Sequence, residues 1–536
     1  MSPKYTIILF ICVISLFSVS SIQAPTLPLT TLHTDQDIFF WDVEQKIIAS
    51  DEITGDTFGT AIDVDESHLI VGSPGDDDTG QLSGSAYVFD QQENSWIQKQ
   101  KLNANDGEQY DNFGASISIN GNQTLIGAPG EDTNGEMAGA AYIFEKKENY
   151  WVQVAKLIPL IGKPFDYFGI SVSITNNTAV IGAPGDDEYG QTAGAAYVFE
   201  KKNDVWKQTM KVRGSDISPG SYFGVTVSLS KNRFVAGAPN NHNTDNPGTV
   251  YVFQRGTPQS FSEPVEWRQE AILRSSSMKR NDNFGKTVTL HDNQVIVGAP
   301  TDDSNGEFSG SVYLFEWTDD GWNQKYKIVP DSINAYDYFG TTIAHHKNMF
   351  ISTSKKNDAS MNNAVYVYTM ENEGTLENNG LNQHGIIIPS DTQIKDFGLS
   401  CSLVNQTIFI GAPGDSVKGN NSGSVFVFTP GIDSQPPTLT LHTPSDYLYV
   451  HDYALFPFKT PVILGPITVK AQSSDALTQI QNISLFINEE LVYYSNTSSL
   501  EWMWNKASFD IYDLKIISYD AFENKAMKQK TVWKLY

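Results

Sequence analysis

A pair of residues, Phe-Gly, recurs seven times along this chain of 536 residues and constrains its fold more than any other feature. The pairs stand at intervals of 55, 55, 55, 61, 55 and 58 residues and begin at Phe58, Phe113, Phe168, Phe223, Phe284, Phe339 and Phe397. Fourteen residues after each Phe comes a Gly-Ala-Pro or Gly-Ser-Pro turn, except in the sixth unit, where Thr353 replaces the Gly. An aromatic triplet such as Tyr87-Val88-Phe89 then completes each unit. Self-similarity at this period indicates one supersecondary unit repeated seven times.

Each unit has the pattern of four short antiparallel strands. In the second unit, residues 115–120 alternate, 124–127 are apolar, 140–145 are rich in aromatics and 150–157 alternate again, with Gly and Asn clusters between them. Four strands in every unit describe a blade, so we expect an all-β chain with a seven-bladed β-propeller over residues 37–429. A β-solenoid is the alternative, although its repeats are far shorter.

The tryptophans predict how the ring closes. Trp96 opens the fourth strand of the first unit, and Lys101 follows it. The seventh unit has no such strand, yet Trp41 and Lys46 stand 55 residues ahead of Trp96 and Lys101. We therefore expect residues 37–49 to form the outermost strand of blade seven, because this pairing removes the free edges of an open ring.

The Phe-Gly pairs followed by Gly-Ala-Pro turns resemble the FG-GAP repeats of integrin α-subunit propellers, in the variant common in secreted microbial proteins. The resemblance covers about residues 37–429 and implies an extracellular binding or adhesion module rather than an enzyme. Integrin-type repeats usually carry a calcium loop of spaced Asp residues between the first two landmarks. Here that interval holds short turns such as Asn120-Gly121-Asn122, so those calcium sites are not carried over.

Acidic residues collect instead just after the Gly-Ala-Pro turns, and a second acid often stands two residues before the Phe, as Asp56 does. Propeller topology places both sets on one face. Clustered carboxylates suit Ca²⁺ or Mg²⁺, so we predict a Ca²⁺ site for the first set. Its candidate ligands are Asp76, Asp77, Asp78, Asp132, Asp186, Asp187, Asp302, Asp303 and Asp415. The same acids would suit a cationic partner, and they would equally serve as simple turn residues.

The two ends of the chain differ from the repeats. Residues 1–24 have the charge, the apolar run and the small residues of a signal peptide, with an uncleaved anchor as the alternative. Residues 430–437 are the predicted linker. Residues 438–536 show strand patterns about ten residues apart, which predict an immunoglobulin-like β-sandwich. The predicted strands are residues 467–471, 483–487, 491–494, 501–504 and 514–519. This region resembles the bacterial immunoglobulin-like repeats of secreted adhesins, although Glu523 stands where those repeats usually have Gly.

Net charge and absent motifs limit the classes of partner and of reaction that suit this chain. With 62 acidic and 36 basic residues the formal charge is −26, which disfavours nucleic acids and anionic lipids as partners. Neither an H-E-x-x-H nor a G-x-S-x-G motif occurs. Sequons that permit glycosylation stand at Asn122, Asn176, Asn405, Asn420, Asn482 and Asn496.

We therefore expect a secreted or cell-surface protein, monomeric and not inserted in the membrane after cleavage, that binds a protein or glycan ligand and is not an enzyme. The alternative is a secreted carbohydrate-active hydrolase or lyase that uses carboxylates of the acidic loops. A structural surface-layer component is a third option.

Overall fold

The computed structural model describes residues 40–51, 53–93, 95–239, 247–256, 266–355, 363–370, 380–389, 391, 394–431, 436–475, 480–507, 509–520 and 524–535. The predicted signal peptide lies outside them, as do residues 432–435 of the predicted linker and Glu523. The described residues form strands and turns without a helix, which confirms the all-β prediction.

Twenty-eight strands up to Gly431 form seven four-stranded antiparallel sheets in the described chain. They are β1 (Phe40–Ile47), β2 (Ala61–Val64), β3 (His68–Ser73), β4 (Ser85–Gln92), β5 (Ser95–Leu102), β6 (Ser116–Asn120), β7 (Gln123–Ala128), β8 (Ala140–Lys147), β9 (Tyr150–Leu157), β10 (Ser171–Thr175), β11 (Thr178–Ala183), β12 (Ala195–Lys202), β13 (Val205–Val212), β14 (Thr226–Ser230), β15 (Arg233–Ala238), β16 (Thr249–Arg255), β17 (Trp267–Leu273), β18 (Thr287–His291), β19 (Gln294–Ala299), β20 (Ser311–Thr318), β21 (Gly321–Ile328), β22 (Ile343–His346), β23 (Met349–Ser354), β24 (Ala364–Met370), β25 (Leu381–Ile387), β26 (Ser400–Val404), β27 (Thr407–Gly411) and β28 (Val425–Gly431). Six sheets consist of four consecutive strands, β2–β5 through β22–β25, and the seventh has the order β1-β28-β27-β26.

The repeat landmarks explain the packing of these blades. Phe113 is fully buried and makes edge contacts with the rings of Tyr142 and Phe144, at centroid distances of 5.5 and 5.9 Å. Gly127, the Gly of the second landmark, allows two blades to approach, because a Cβ there would lie 2.0 Å from the carbonyl oxygen of Gly169 in the next blade. The landmarks are therefore packing residues.

The first strands of successive blades contact one another in a closed circuit, and β26 of the last blade contacts β2 of the first. This is the arrangement of a β-propeller. Strand β1 completes the last blade: it pairs antiparallel with β28, from Phe40 opposite Gly431 to Ile47 opposite Val425. Trp41 thus lies in the strand and the sheet to which its spacing assigns it.

The contacts of β1 are those of a regular fourth strand. The Gln45 amide donates to the Trp96 carbonyl at 2.9 Å and accepts from the Trp96 backbone N–H at 2.7 Å. One blade further on, Gln100 makes the same two hydrogen bonds with Trp151, at 2.8 and 2.8 Å. The leading segment therefore joins the last blade to the first in the same way as the first blade is joined to the second.

The remaining strands form two further sheets over one apolar core. They are β29 (Thr438–Thr443), β30 (Tyr447–Val450), β31 (Tyr453–Pro457), β32 (Val462–Leu464), β33 (Ile467–Ser474), β34 (Ile480–Ile487), β35 (Glu490–Ser495), β36 (Ser499–Trp504), β37 (Phe509–Asp520) and β38 (Lys525–Leu535). The sheet orders are β29-β33-β36 and β31-β30-β32-β38-β37-β34-β35. The sequence pattern locates β33 to β37 and misses the other five. The immunoglobulin-like assignment stays a prediction.

Candidate functional site

Two sets of loops meet on one face of the propeller: those that enter the first strand of each blade and those that join its second and third strands. In the first blade, the Gly75 N–H and the Ser73 hydroxyl both donate to the Asp56 carbonyl, at 3.2 and 2.7 Å. In the second blade, the Gly130 N–H donates to the Asp111 carbonyl at 3.0 Å. The two sets of acids therefore lie side by side within each blade, and we call this surface the acidic face.

The first acid of each acidic run is buried and paired with a lysine of the outermost strand. Asp186 lies 2.6 Å from the Lys211 Nζ, accepts from the Tyr197 hydroxyl at 2.8 Å and caps the Glu188 N–H at 3.1 Å. The corresponding ion pairs are Asp76–Lys101 at 2.7 Å, Glu131–Lys156 at 2.7 Å, Asp302–Lys327 at 2.7 Å and Asp415–Lys46 at 2.6 Å. Five blades thus neutralise a buried carboxylate internally, and in the last blade the cation comes from β1.

The ion pairs shift the pKa of both kinds of partner. Burial lowers the pKa of Lys211, but its hydrogen bonds to Asp186 and Glu188 outweigh this effect and the net pKa is raised. Burial raises the pKa of Asp302, yet the hydrogen bonds from Lys327 and Ser304 bring it below its usual value. Both groups are therefore charged at neutral pH, as a strong ion pair requires.

The second acid of each run is exposed and acts mainly as a loop cap. The carboxylates of Asp77, Asp132 and Asp303 accept from the backbone N–H five residues later, at 2.7, 2.8 and 2.9 Å. The capped residues, Leu82, Met137 and Phe308, are held at φ of 54°, 52° and 53°. Asp187 instead pairs with Lys163 at 2.6 Å, and Asp78 pairs with Lys101 at 2.6 Å.

The predicted cation ligands are thus brought to one face, but most of their oxygens already have partners. In the part of the chain that the structure describes, no three His, Cys, Asp or Glu side chains are grouped as metal ligands. A cation at the first acid would have to displace a lysine ammonium, so these residues do not fit a Ca²⁺ cage as they stand. The Ca²⁺ site remains a prediction that a calcium titration of the thermal transition would test.

The acids two residues before the Phe are also buried, but they bond to the backbone rather than to a lysine. A carboxylate oxygen of Asp56 accepts from the Ile53 N–H at 2.7 Å, and Asp111, Asp166 and Asp282 bond the same backbone position at 2.8, 2.9 and 2.6 Å. Burial, aided by the charge of the neighbouring acid of the other set, raises the pKa of all four to about 6 in spite of these hydrogen bonds.

These four aspartates predict that the protein is more stable at pH 5 than at pH 7.5. Their pKa of about 6 in the folded chain exceeds the ordinary value of 3.8, so the folded state binds protons more tightly. Their contribution to the free energy of unfolding is fully present below pH 4. It is lost as the pH rises through 6, by about 1 kcal/mol for each group. Acids with lowered pKa, such as Asp106, oppose it only below about pH 4. Burial lowers the pKa of His345 to about 3 and lowers the pKa of His291 and His346, so these histidines oppose it between pH 5 and 7. The comparison of the wild type with an aspartate variant separates the two contributions.

Thermal unfolding between pH 4 and 8 checks this expectation, which places the maximum near pH 5. Asp166→Asn keeps the hydrogen-bond acceptor without the charge and should flatten the pH dependence and raise the melting temperature at pH 7.5. Asp319→Asn, in an exposed hairpin turn, is the control and should change neither. A melting temperature that rises steadily from pH 5 to pH 7.5 would contradict the assignment.

Aromatic side chains project from the acidic face in an unusual backbone conformation. Tyr110, Phe165 and Tyr336, each three residues before the Phe of its blade, are exposed by 45%, 45% and 39%. Their φ angles of 69°, 65° and 67° lie in the left-handed region, where bulky residues are uncommon. The backbone N–H of each donates to the loop of the preceding blade, at Gln81, Glu136 and Glu307.

Further apolar side chains surround these three. Ile53, Leu82, Tyr189 and Val417 belong to the same loops and are also exposed, and the Arg213 guanidinium stacks on the Tyr189 ring at 3.9 Å. The acids of this face follow from the sequence pattern, whereas its aromatics were not predicted. Their recurrence three residues before the Phe is the signal that would have found them.

The comparisons with known proteins agree with the repeat. The chain matches the FG-GAP repeat model over residues 41–89, 96–144, 151–199, 206–253, 267–315 and 381–428, which together make up more than half of it. Each match begins with an outermost strand, the first of them with β1. The unmatched stretch between residues 315 and 381 contains the unit in which Thr353 replaces Gly. No curated protein sequence shows significant similarity to the chain.

Solved structures resemble the chain at low identity. The β-propeller domain of Cps50 (Swd1) from Myceliophteria thermophila is 8% identical, with a TM-score of 0.43, over 73% of this chain and 100% of that domain. The extracellular domain of the putative hybrid two-component system BT4673 from B. thetaiotaomicron is 11% identical, with a TM-score of 0.36, over 93% of this chain and 60% of that one. Fibronectin(III)-like modules of Clostridium thermocellum CbhA are 14% identical, with a TM-score of 0.15, over 18% of this chain and 100% of theirs.

Proposed function

Because the chain belongs to the FG-GAP repeat family, whose members are typically extracellular, we propose that it is an extracellular binding protein that takes a glycan or protein ligand on its acidic face. A helix of membrane-spanning length and apolarity is absent from the described residues. The propeller supplies a rigid ring of loops, and loops on a rigid scaffold are where binding residues concentrate.

The observation that carries the proposal is the set of exposed aromatics in left-handed conformation. Tyr110, Phe165 and Tyr336 each store backbone strain at a loop tip, and residues held in such conformations cluster at ligand-binding sites. Two further interactions hold them in place: the Tyr110 hydroxyl donates to Gln81 at 2.7 Å, and the Tyr336 ring makes an edge contact with Phe308. Rigid aromatics beside carboxylates offer a stacking surface for a sugar and an anchor for a protein.

The carboxylates favour binding over catalysis. A hydrolase of the alternative kind needs a protonatable acid beside a free carboxylate. The pair Asp56 and Asp76 has the right chemistry, since the pKa of Asp56 is raised to about 6. The same pair recurs in the second, third and fifth blades, and its second member is always bonded to a lysine. A carboxylate held by a lysine ammonium is not free to act as the second catalytic group, so we propose a binding role rather than an enzymatic one.

A triple variant, Tyr110→Asn, Phe165→Asn and Tyr336→Asn, is expected to lose at least about tenfold in affinity for the ligand, because three stacking surfaces are removed. Asn suits this backbone, since the fifth blade already has Asn281 at this position with φ of 71°. The melting temperature should therefore not fall. Binding would be measured on arrayed glycans and arrayed secreted proteins.

Tyr150→Asn provides the control, because Tyr150 is 69% exposed but is the first residue of β9, next to the hairpin turn that joins the third and fourth strands of its blade. Equal binding by the triple variant and the wild type would place the ligand elsewhere. Release of products from a polysaccharide library would instead support the hydrolase alternative.

A further inference from the structure

A flat apolar surface on the C-terminal unit is unrelated to the acidic face. It lies on the side of the seven-stranded sheet that faces away from the core. The core side of this sheet is formed by residues such as Tyr449, Ile463, Val532 and Leu514, all nearly inaccessible. Because successive side chains of a strand point to opposite sides, their sequence neighbours face outward.

Two uninterrupted rows of apolar residues cross this outer side, from β37 through β38, β32 and β30 to the edge strand β31. The paired residues of the first row are Ile511, Trp533, Val462, Leu448 and Phe456. Those of the second are Phe509, Leu535, Leu464, Val450 and Tyr453. Neither row contains a charged or polar uncharged side chain apart from the Tyr453 hydroxyl and the Trp533 indole.

The large side chains of these rows are open to solvent. Phe509 is 80% exposed, Tyr453 77%, Phe456 50%, Ile511 49% and Trp533 47%. Single exposed apolar residues are ordinary, but contiguous apolar surface of this kind marks an interaction site. The edge strand adds to it, because β31 pairs on one side only within the described chain and residues 453–458 include no charge.

We propose that this surface, which we call the outer apolar face, packs against the same face of a second copy of the chain. A flat apolar face is complementary to itself, and two sheets pack face to face about 10 Å apart when both present such side chains. Exposed charges of both signs stand close to the rows in sequence, at Asp452, Lys459 and Lys506, and are available for pairing about a two-fold axis.

The net charge of −26 disfavours an anionic lipid surface as the partner of the outer apolar face.

The area of the outer apolar face limits the strength of the contact. Five strands about 4.8 Å apart and two rows about 7 Å apart give a footprint of roughly 350 Å². Stable complexes bury about 800 Å² per partner. The proposed dimer is therefore weak, with a dissociation constant on the order of 10 µM, whereas the sequence analysis expects a monomer.

Sedimentation velocity of the full chain between 1 and 100 µM tests the proposal. The wild type is expected to move from monomer to dimer over this range. Trp533→Glu places a charge in the middle of the first row and should raise the dissociation constant at least tenfold. Phe456→Glu, on the edge strand, should do the same and covers the case in which Trp533→Glu fails to fold, as judged by near-ultraviolet circular dichroism.

Met503→Glu is the matched control, because Met503 is 58% exposed on the other sheet and should leave the dimer intact. The proposal is overturned if the wild type stays monomeric at 100 µM, or if the dimer survives both row variants. It is also overturned if the monomer binds phosphatidylcholine vesicles in a manner that Trp533→Glu abolishes.

Discussion

Deletion of residues 1–49 is expected to lower the melting temperature by more than about 10 °C and to cause aggregation. The deletion removes β1, and the edge of β28 from Val425 to Gly431 then has no partner. Ile47 and Ala49 leave a core that includes Phe409 and Val427. The hydrogen bonds of Gln45 to Trp96 and the ion pair of Lys46 with Asp415 are also lost. Together these losses approach the whole free energy of unfolding of a typical domain, about 5–15 kcal/mol.

Differential scanning calorimetry and light scattering would measure the effect. A chain that lacks only residues 1–36 is the control, because it retains β1 and should melt like the full chain. Adding a synthetic peptide of residues 37–49 to the truncated protein should restore part of the transition, since the peptide can pair with β28. A truncated chain that melts normally without the peptide would show that the ring does not depend on its first strand.

Lys211→Met is expected to reduce the free energy of unfolding by about 3–5 kcal/mol. The substitution leaves the Asp186 carboxylate buried, with the Tyr197 hydroxyl and the Glu188 N–H as its remaining hydrogen-bond donors. An uncompensated charge at such a site costs more than the ion pair contributes, so the double variant Asp186→Asn with Lys211→Met should recover most of the loss.

Urea unfolding of the single and double variants measures the coupling between the two residues. Lys207→Met is the control, because Lys207 is exposed on the same strand and should change stability by less than about 0.5 kcal/mol. If the double variant is as unstable as Lys211→Met alone, the buried carboxylate is not the cause. A loss below about 1 kcal/mol in the single variant would mean that water replaces the lysine.

Much of the fold follows from particular residues of the sequence. The Phe-Gly and Gly-Ala-Pro spacing locates every blade, and the position of Trp41 places β1 beside β28. These predictions succeed because they depend on local strand patterns and on a period that a one-dimensional pattern preserves. The five strands missed in the C-terminal unit include β30, β31 and β32, which are short and lie among Pro444, Pro457 and Pro461. Their apolar residues do not alternate regularly, so no strand period marks them.

The acids of the candidate site show where pattern reasoning stops. Sequence analysis grouped Asp76 with Asp77 and Asp78 as equivalent candidates, but the structure buries the first and exposes the other two. Its partner Lys101 lies in the outermost strand, 25 residues further on. A signal for this pairing does exist: the acid and the lysine occur together in five units. They are absent together from units four and six, which have Asn241 with Ile272 and Asn357 with Ile386.

The sequence alone determined that this chain repeats a four-stranded unit and that its N-terminal strand completes the last blade. Both follow from strand period and repeat spacing, which are properties of the order of residues along the chain. Only the tertiary structure decided which carboxylates meet an ammonium group, which loop residues turn aromatic rings outward and which side of the C-terminal sheet is left uncovered. Those outcomes depend on the register between strands that are distant in sequence. Register fixes the neighbour of every side chain, and the neighbour decides whether a charge is paired or an apolar surface is covered.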